Sequence, residues 1–250
     1  MRVLVLGGSG NVGKLVLQQL LERGAEVRAI VRTPESLPST ISSNPKLSII
    51  KASLLHLSVD ELASHLKDCD VVISTLGHNM SYGSVPAIGV WLNPRDLVVK
   101  ATQMVCDAIN KLQPVSPIRF ILLCTVGVSN PDGSDRHVRN GFENTMVSLM
   151  TAILPPYTDS VRSADYISKQ VGTDNNFIEW TVVRPDGFID GEISEYRILD
   201  SIQHAFYEAD KITKANIAHF MCELVENAKT WEEWKYKMPI IIDTNQPGKK

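Results

Sequence analysis

Short apolar runs recur along the chain: VLVL (3–6), VRAIV (27–31), LSII (47–50), VVIST (71–75), FILLC (120–124) and WTVV (180–183). They are rich in Val and Ile and mostly continuous rather than alternating, the pattern of strands buried on both faces of a parallel sheet. Between them the apolar positions take a helical period. Val12, Leu15, Val16 and Leu20 share one face, and Leu97, Ala101, Met104, Val105, Ala108 and Leu112 trace another. This alternation predicts an α/β fold with a doubly wound parallel sheet, whose right-handed crossovers put all strand C-termini on one edge.

Three long polar stretches, 77–93, 127–141 and 186 to about 195, each follow a predicted strand and so gather at that edge. Stretches of this length in a compact domain are more often binding loops than fillers. Beyond 186 the pattern predicts helices over about 198–209 and 214–228 and a last strand at 238–243. These read as a small C-terminal substrate lobe, 186–250, within a single domain spanning 1–250, with a frayed tail TNQPGKK.

The stretch LGGSGNVGKL (6–15) fits three phosphate-binding patterns. From Gly8 to Lys14 it is nearly a Walker A loop, but the Ser or Thr that would ligate a metal is Leu15, on the apolar helix face. G-x-G-x-x-G from Gly8 and G-x-x-G-x-x-G from Gly7 both remain. A strand before and a helix after predict a dinucleotide-binding turn, with the helix N-terminus aimed at a pyrophosphate and Ser9 and Asn11 adding hydrogen bonds. At the end of the second strand, where NAD-binding proteins usually carry an acid for the ribose hydroxyls, stands Arg32. A guanidinium suits a 2′-phosphate, with Thr33 and Ser36 beside it, so NADP(H) is the expected cofactor.

Composition narrows the class further. The net charge is −3 and the pI about 6.1, with no Lys/Arg cluster, which argues against a nucleic-acid partner. Cys69, Cys106, Cys124 and Cys222 are too scattered for a zinc site or a disulfide framework, and the histidines have no metal-ligand spacing, so no metal is expected. No leader or membrane-spanning run is legible, which points to a cytoplasmic protein with a small-molecule substrate and no membrane partner.

VLVLGGSGNVGKLVLQQLLERGAEVRAIVR, DVVISTLG, RFILLCTVGV and EWTVVRPDGFID resemble the atypical short-chain dehydrogenase/reductases. The likeness is to the NAD(P)-binding Rossmann group with NmrA-like, flavin-reductase-like and biliverdin-reductase-B-like members, and it spans about 1–225. It implies a phosphate loop built on Gly7, Gly10 and Gly13 with Val12, and Arg32 on the 2′-phosphate. Ser53 takes the place of the family's adenine contact. Thr75, Leu76 and Gly77 would pass the second ribose, and Cys124, Thr125, Arg184 and Pro185 would border the nicotinamide. Asn216 stands where the family usually has Asp.

The superfamily's Tyr-x-x-x-Lys pair is absent: Tyr166 is followed four residues on by Gln170, and Tyr157 by Val161. Candidates for chemistry are Thr125, His78 and Tyr166. Candidates for the substrate pocket are His78, Asn79, Tyr82, Val128 and Phe188, with Trp91 more suited to packing. The expectation is an NADPH-dependent oxidoreductase reducing a small aromatic, quinone-like or flavin-like acceptor. The alternative is a regulatory protein that senses NADP(H) without turnover.

Overall fold

The computed structural model describes residues 1–78, 94–131, 133, 135, 138, 141–202 and 211–244. The predicted apolar runs are strands β1 (Arg2–Leu6), β2 (Glu26–Val31), β3 (Leu47–Lys51), β4 (Val71–Ser74), β5 (Ile118–Leu123) and β6 (Ile178–Pro185). Short strands β7 (Gly187–Ile189), β8 (Tyr196–Leu199) and β9 (Lys211–Thr213) follow, and β10 (Ile240–Asp243) is the last. The main sheet has the order β3-β2-β1-β4-β5-β6-β10-β8, parallel except that β8 runs antiparallel to β10. β7 and β9 form a separate parallel pair. This is the doubly wound, Rossmann-like α/β architecture.

The continuous apolar character of the strands has its cause in two cores. Val3 and Val5 of β1 face one layer, which holds α1 (Asn11–Glu22) and α7 (Lys214–Glu226). Leu4 and Leu6 face the other, built on α3 (Val59–Leu66) and α4 (Leu97–Leu112). Among the described residues the remaining α-helices are α2 (Ser39–Ser42), α5 (Gly141–Ile153), α6 (Pro155–Asp165), which runs into a π-helical turn at Tyr166–Val171, and α8 (Ala228–Trp234).

The chain moves outward from β1 through β2 to β3, then returns to β4 on the other side of β1. That reversal opens a crevice at the C-terminal ends of β1 and β4, the place where open α/β sheets bind ligands.

The helix expected over 198–209 is corrected at its start. Residues 196–199 are strand, because Tyr196 and Ile198 pack on the core while Arg197 is exposed, a two-residue period, and Ile198 pairs with Ile241. The rest of that expected helix, from 203, lies outside the described residues. The stretch 186–195 holds β7 rather than loop alone. α7 and β10 lie close to their expected positions, and no helix among the described residues is long and apolar enough to cross a membrane.

Candidate functional site

The glycine turn closes the end of β1. Gly7 takes φ +77°, a conformation that costs other residues a steric penalty, and its carbonyl accepts from Gly10 N–H at 2.9 Å. A Cβ at Gly13 would run into the Gly7 carbonyl oxygen and come within 2.8 Å of Thr75 Oγ1. Gly7 thus carries the positive φ of the turn and Gly13 its closest backbone approach, while a Cβ on Gly8 would meet Leu17 at 2.8 Å. α1 then starts at Gly10 with no side-chain cap and no acidic residue in its first turn. Its leading N–H groups and positive dipole end stay available to an anion. Val12 turns inward at 8% exposure, and Leu15 packs on the core, as expected of a residue that ligates nothing.

Beside this turn lies a cavity of about 460 Å³. Gly7, Ser9 and Gly10 form one end, Arg32, Ala52 and Ser53 another, and Thr75, Leu76 and Gly77 the floor toward β4. Ile30, Val31, Leu54 and Leu55 add wall, and His56, Pro94 and Leu97 complete the lining. Leu54, His56, Pro94 and Leu97 were missed from the sequence, since no motif marks them and only the fold brings them here. Arg32 is exposed and forms no ion pair with any described residue. The cradle that Cβ atoms would fill, the uncapped helix and the unpaired guanidinium together fit a dinucleotide.

Toward β5, a second constellation forms. His78, directly after Gly77, places Nε2 at 2.6 Å from Asp159 Oδ2 of α6, with side-chain exposures of 3% and 0%. Asp159 also accepts from Val98 N at 2.7 Å and Val99 N at 2.9 Å, and so caps α4 from another helix. Asp96, at the cap position itself, makes no side-chain capping bond; it pairs with Lys100 at 2.8 Å. At the end of β5, Thr125 Oγ1 lies 3.5 Å from Gly127 N. A Cβ on Gly127 would meet the Tyr157 ring at 2.5 Å, so the small residue admits that ring. Burial, followed by the nearby charge of Asp186, holds the Tyr157 phenol above its ordinary pKa.

Other expected site residues lie elsewhere. Tyr166 packs on the far part of α4; burial, with Cys106 and Asp107 adding to it, pushes its phenol up to about 12, so it is corrected from catalytic candidate to packing residue. The Cys124 thiol turns inward, 3.8 Å from the Ser160 carbonyl, and burial pushes it up to about 12. Val128 is 3% exposed in the core rather than in a pocket wall. The Arg184 guanidinium is wholly buried, donating to Val128 O and Asp135 Oδ2 from one side of the sheet end, so its side chain is not at the crevice. Pro185 is buried, and its carbonyl accepts from Val126 N at 3.1 Å. Phe188 is 44% exposed on β7. Asn79, Tyr82 and Trp91 lie outside the described residues.

Asn216 is a linchpin of the C-terminal segment. Its side chain accepts from Ser194 N at 2.8 Å and donates to Asp243 Oδ1 at 2.5 Å. No group of side chains suited to a metal ion occurs among the described residues.

Comparison with known proteins agrees with this geometry. Two curated relatives match short stretches only. A 3-beta-hydroxysteroid dehydrogenase of Mycolicibacterium neoaurum is 38% identical over 74 residues, covering 30% of this chain and 19% of that protein. An uncharacterised chloroplastic protein of Arabidopsis thaliana is 36% identical over 67 residues, 27% of this chain and 24% of its own length. Solved structures match along nearly the whole chain. The oxidoreductase ylbE of Lactococcus lactis has TM-score 0.68 at 19% identity, covering 98% of this chain and 92% of its own. ChuY, an anaerobillin reductase of Escherichia coli O157:H7, has TM-score 0.67 at 16% identity and covers 100% of both. A wide-type short-chain dehydrogenase/reductase of Veillonella parvula in complex with NADP has TM-score 0.68 at 11% identity, covering 99% and 95%. At these identities the structures attest the fold. The family description NAD(P)H-binding matches residues 7–228, from the glycine turn to the start of α8. The chain thus belongs to the NAD(P)H-binding family and binds a nicotinamide nucleotide.

Proposed function

We propose that the protein is an NADPH-dependent oxidoreductase that reduces a small aromatic, quinone-like or flavin-like acceptor. The observation that carries the cofactor choice is Arg32, exposed at the adenosine end of the cavity with no ion-pair partner among the described residues. A 2′-phosphate there gains a bidentate, charge-assisted partner, whereas a free ribose offers the guanidinium only neutral hydroxyls.

The chain's own residues divide the work. Gly7, Gly10 and the first N–H groups of α1 bind the pyrophosphate, and Ser9 and Asn11 border it. Ile30, Leu54 and Ser53 hold the adenosine, with Arg32 on its phosphate. Thr75, Leu76 and Gly77 carry the second ribose toward the ends of β4 and β5. The nicotinamide supplies a hydride at that end. His78 follows β4 and Thr125 follows β5, at the sheet edge where the acceptor is proposed to sit, and Phe188 is exposed on β7. The cavity of about 460 Å³, which runs from the glycine turn to Arg32 and Gly77, lies within the usual range of roughly 300–1,000 Å³ for small-molecule sites.

The test has two arms. Dissociation constants for NADPH and NADH, measured at low and high salt, should differ by about tenfold or more, and the difference should shrink with salt and in Arg32→Asp. Equal constants would overturn the NADPH assignment. Steady NADPH oxidation should follow with at least one member of a panel of quinones, free flavin and aromatic aldehydes. Tight binding without oxidation across the panel would overturn the reductase reading in favour of a cofactor-sensing protein.

A further inference from the structure

His78 and Asp159 are eighty-one positions apart in the chain, yet their side chains meet at 2.6 Å in a place nearly closed to water. A buried carboxylate is costly unless its charge is met by hydrogen bonds. Asp159 meets that need with two main-chain N–H groups at the positive end of α4 and with the imidazole. Capping α4 requires only the first two. The third contact fixes the orientation and tautomer of a ring placed one residue beyond the cavity-lining Gly77. A carboxylate that holds one nitrogen of a histidine leaves the other nitrogen aimed and ready for proton transfer.

We propose that His78 and Asp159 form the proton-delivering pair of the reductase, His78 as the acid that touches the acceptor and Asp159 as its positioning residue. The proposal rests on the reductase reading above. For a carbonyl or quinone acceptor, the incoming hydride forms a new bond at the acceptor and the π pair moves to oxygen. The proton on His78 Nδ1 passes to that oxygen, the N–H bond breaks, and the neutral ring keeps its Nε2–H on Asp159. Solvent that enters as the product leaves then returns a proton to Nδ1. Hydride and proton together reduce the acceptor by two electrons, with NADPH as the reductant.

Among the described residues, the neighbouring thiol does not compete as an acid. Cys124, which lies close enough to feel the Asp159 charge, stays a neutral thiol, since burial pushes it up to about 12. From α4, the pair meets the main-chain N–H groups of Val98 and Val99, and Asp96 is engaged by Lys100 with Arg162 as a further positive neighbour. Tyr157, on the same helix as Asp159, leans instead toward Gly127 and Asp186.

The test is steady-state reduction of 9,10-phenanthrenequinone and 4-nitrobenzaldehyde by NADPH with the full chain. His78→Gln and Asp159→Asn should each lower kcat by about 100-fold while the NADPH dissociation constant stays within about threefold. The double variant should be no slower than His78→Gln alone, because the carboxylate acts only through the ring. Added imidazole should restore turnover to His78→Gly and not to Asp159→Asn. If Asp159→Asn fails to fold, judged by loss of NADPH binding, His78→Gln and the imidazole rescue decide. Wild-type turnover with unchanged kcat in His78→Gln overturns the proton-delivery proposal and leaves the reductase reading standing. No wild-type turnover with either probe or with the wider panel overturns both.

Discussion

Arg184 Nη1 lies 2.5 Å from Asp135 Oδ2, and neither side chain has any exposure to solvent. Arg184 also donates Nε–H to the Met238 carbonyl at 2.7 Å, while Asp135 accepts from Asn130 N at 2.7 Å and Ile202 N at 3.0 Å. One ion pair thereby ties the end of β6, the segment after β5 and the chain beyond β8 together. Removing one partner strands the other charge in the interior. Asp135→Ala is expected to cost about 3–5 kcal/mol, and Asp135→Asn to cost nearly as much, because the amide keeps the shape but not the charge. Urea unfolding of both variants checks this; a loss below about 1 kcal/mol in Asp135→Ala would contradict it.

The packing of Gly13 against the Gly7 carbonyl predicts a separable effect on the nucleotide. Gly13→Ala must push the first turn of α1 away from the glycine turn. NADPH binding is expected to weaken by at least about tenfold, or about 1.4 kcal/mol. Titration by cofactor fluorescence measures it, and retention of wild-type affinity would show that the register is more compliant than the contact implies.

Alkaline pH is expected to erode stability through the thiols. Burial raises Cys69 to about 11 and Cys124 and Cys222 to about 12, from an ordinary value of 9.0. The folded state thus holds these protons more tightly than the unfolded chain. Their contribution is fully present below pH 9.0 and is lost as pH rises toward about 12. Urea midpoints should fall from pH 8 to about pH 10.5, and iodoacetamide should leave the native protein unlabelled at neutral pH.

Trp231 is fully buried, donates Nε1–H to Glu179 Oε2 at 2.7 Å and lies under the Arg119 guanidinium at 5.1 Å. It fastens α8 to the sheet beside α7. Trp231→Ala is expected to cost about 3–5 kcal/mol. Trp231→Phe should retain most of the packing and lose about 1 kcal/mol with the hydrogen bond. Thermal unfolding of the two variants side by side separates packing from the polar contact.

The strands and the glycine turn were legible because their signals are local. An apolar run and a Gly at a turn each report their role within a few positions of themselves. The error over 198–199 has the same origin seen from the other side. Tyr196 and Ile198 alternate with Arg197 over too few residues to outweigh a helical pattern, and pairing with β10 decides for strand. Tyr166 has no Lys four residues on, and the nearby Lys169 is paired with Asp165 at 2.7 Å while Tyr166 packs beside α4.

By itself the amino-acid sequence determined a doubly wound α/β fold with a dinucleotide turn at the end of its first strand, because apolar periodicity and glycine geometry act over neighbouring residues. Only the tertiary structure decided which polar side chains meet. His78 with Asp159, Arg184 with Asp135 and Asn216 with Asp243 are joined across 81, 49 and 27 positions. Along the chain each is one polar residue among many. Packing that removes water around them is what makes a partner obligatory, and the fold alone sets which partner is within reach.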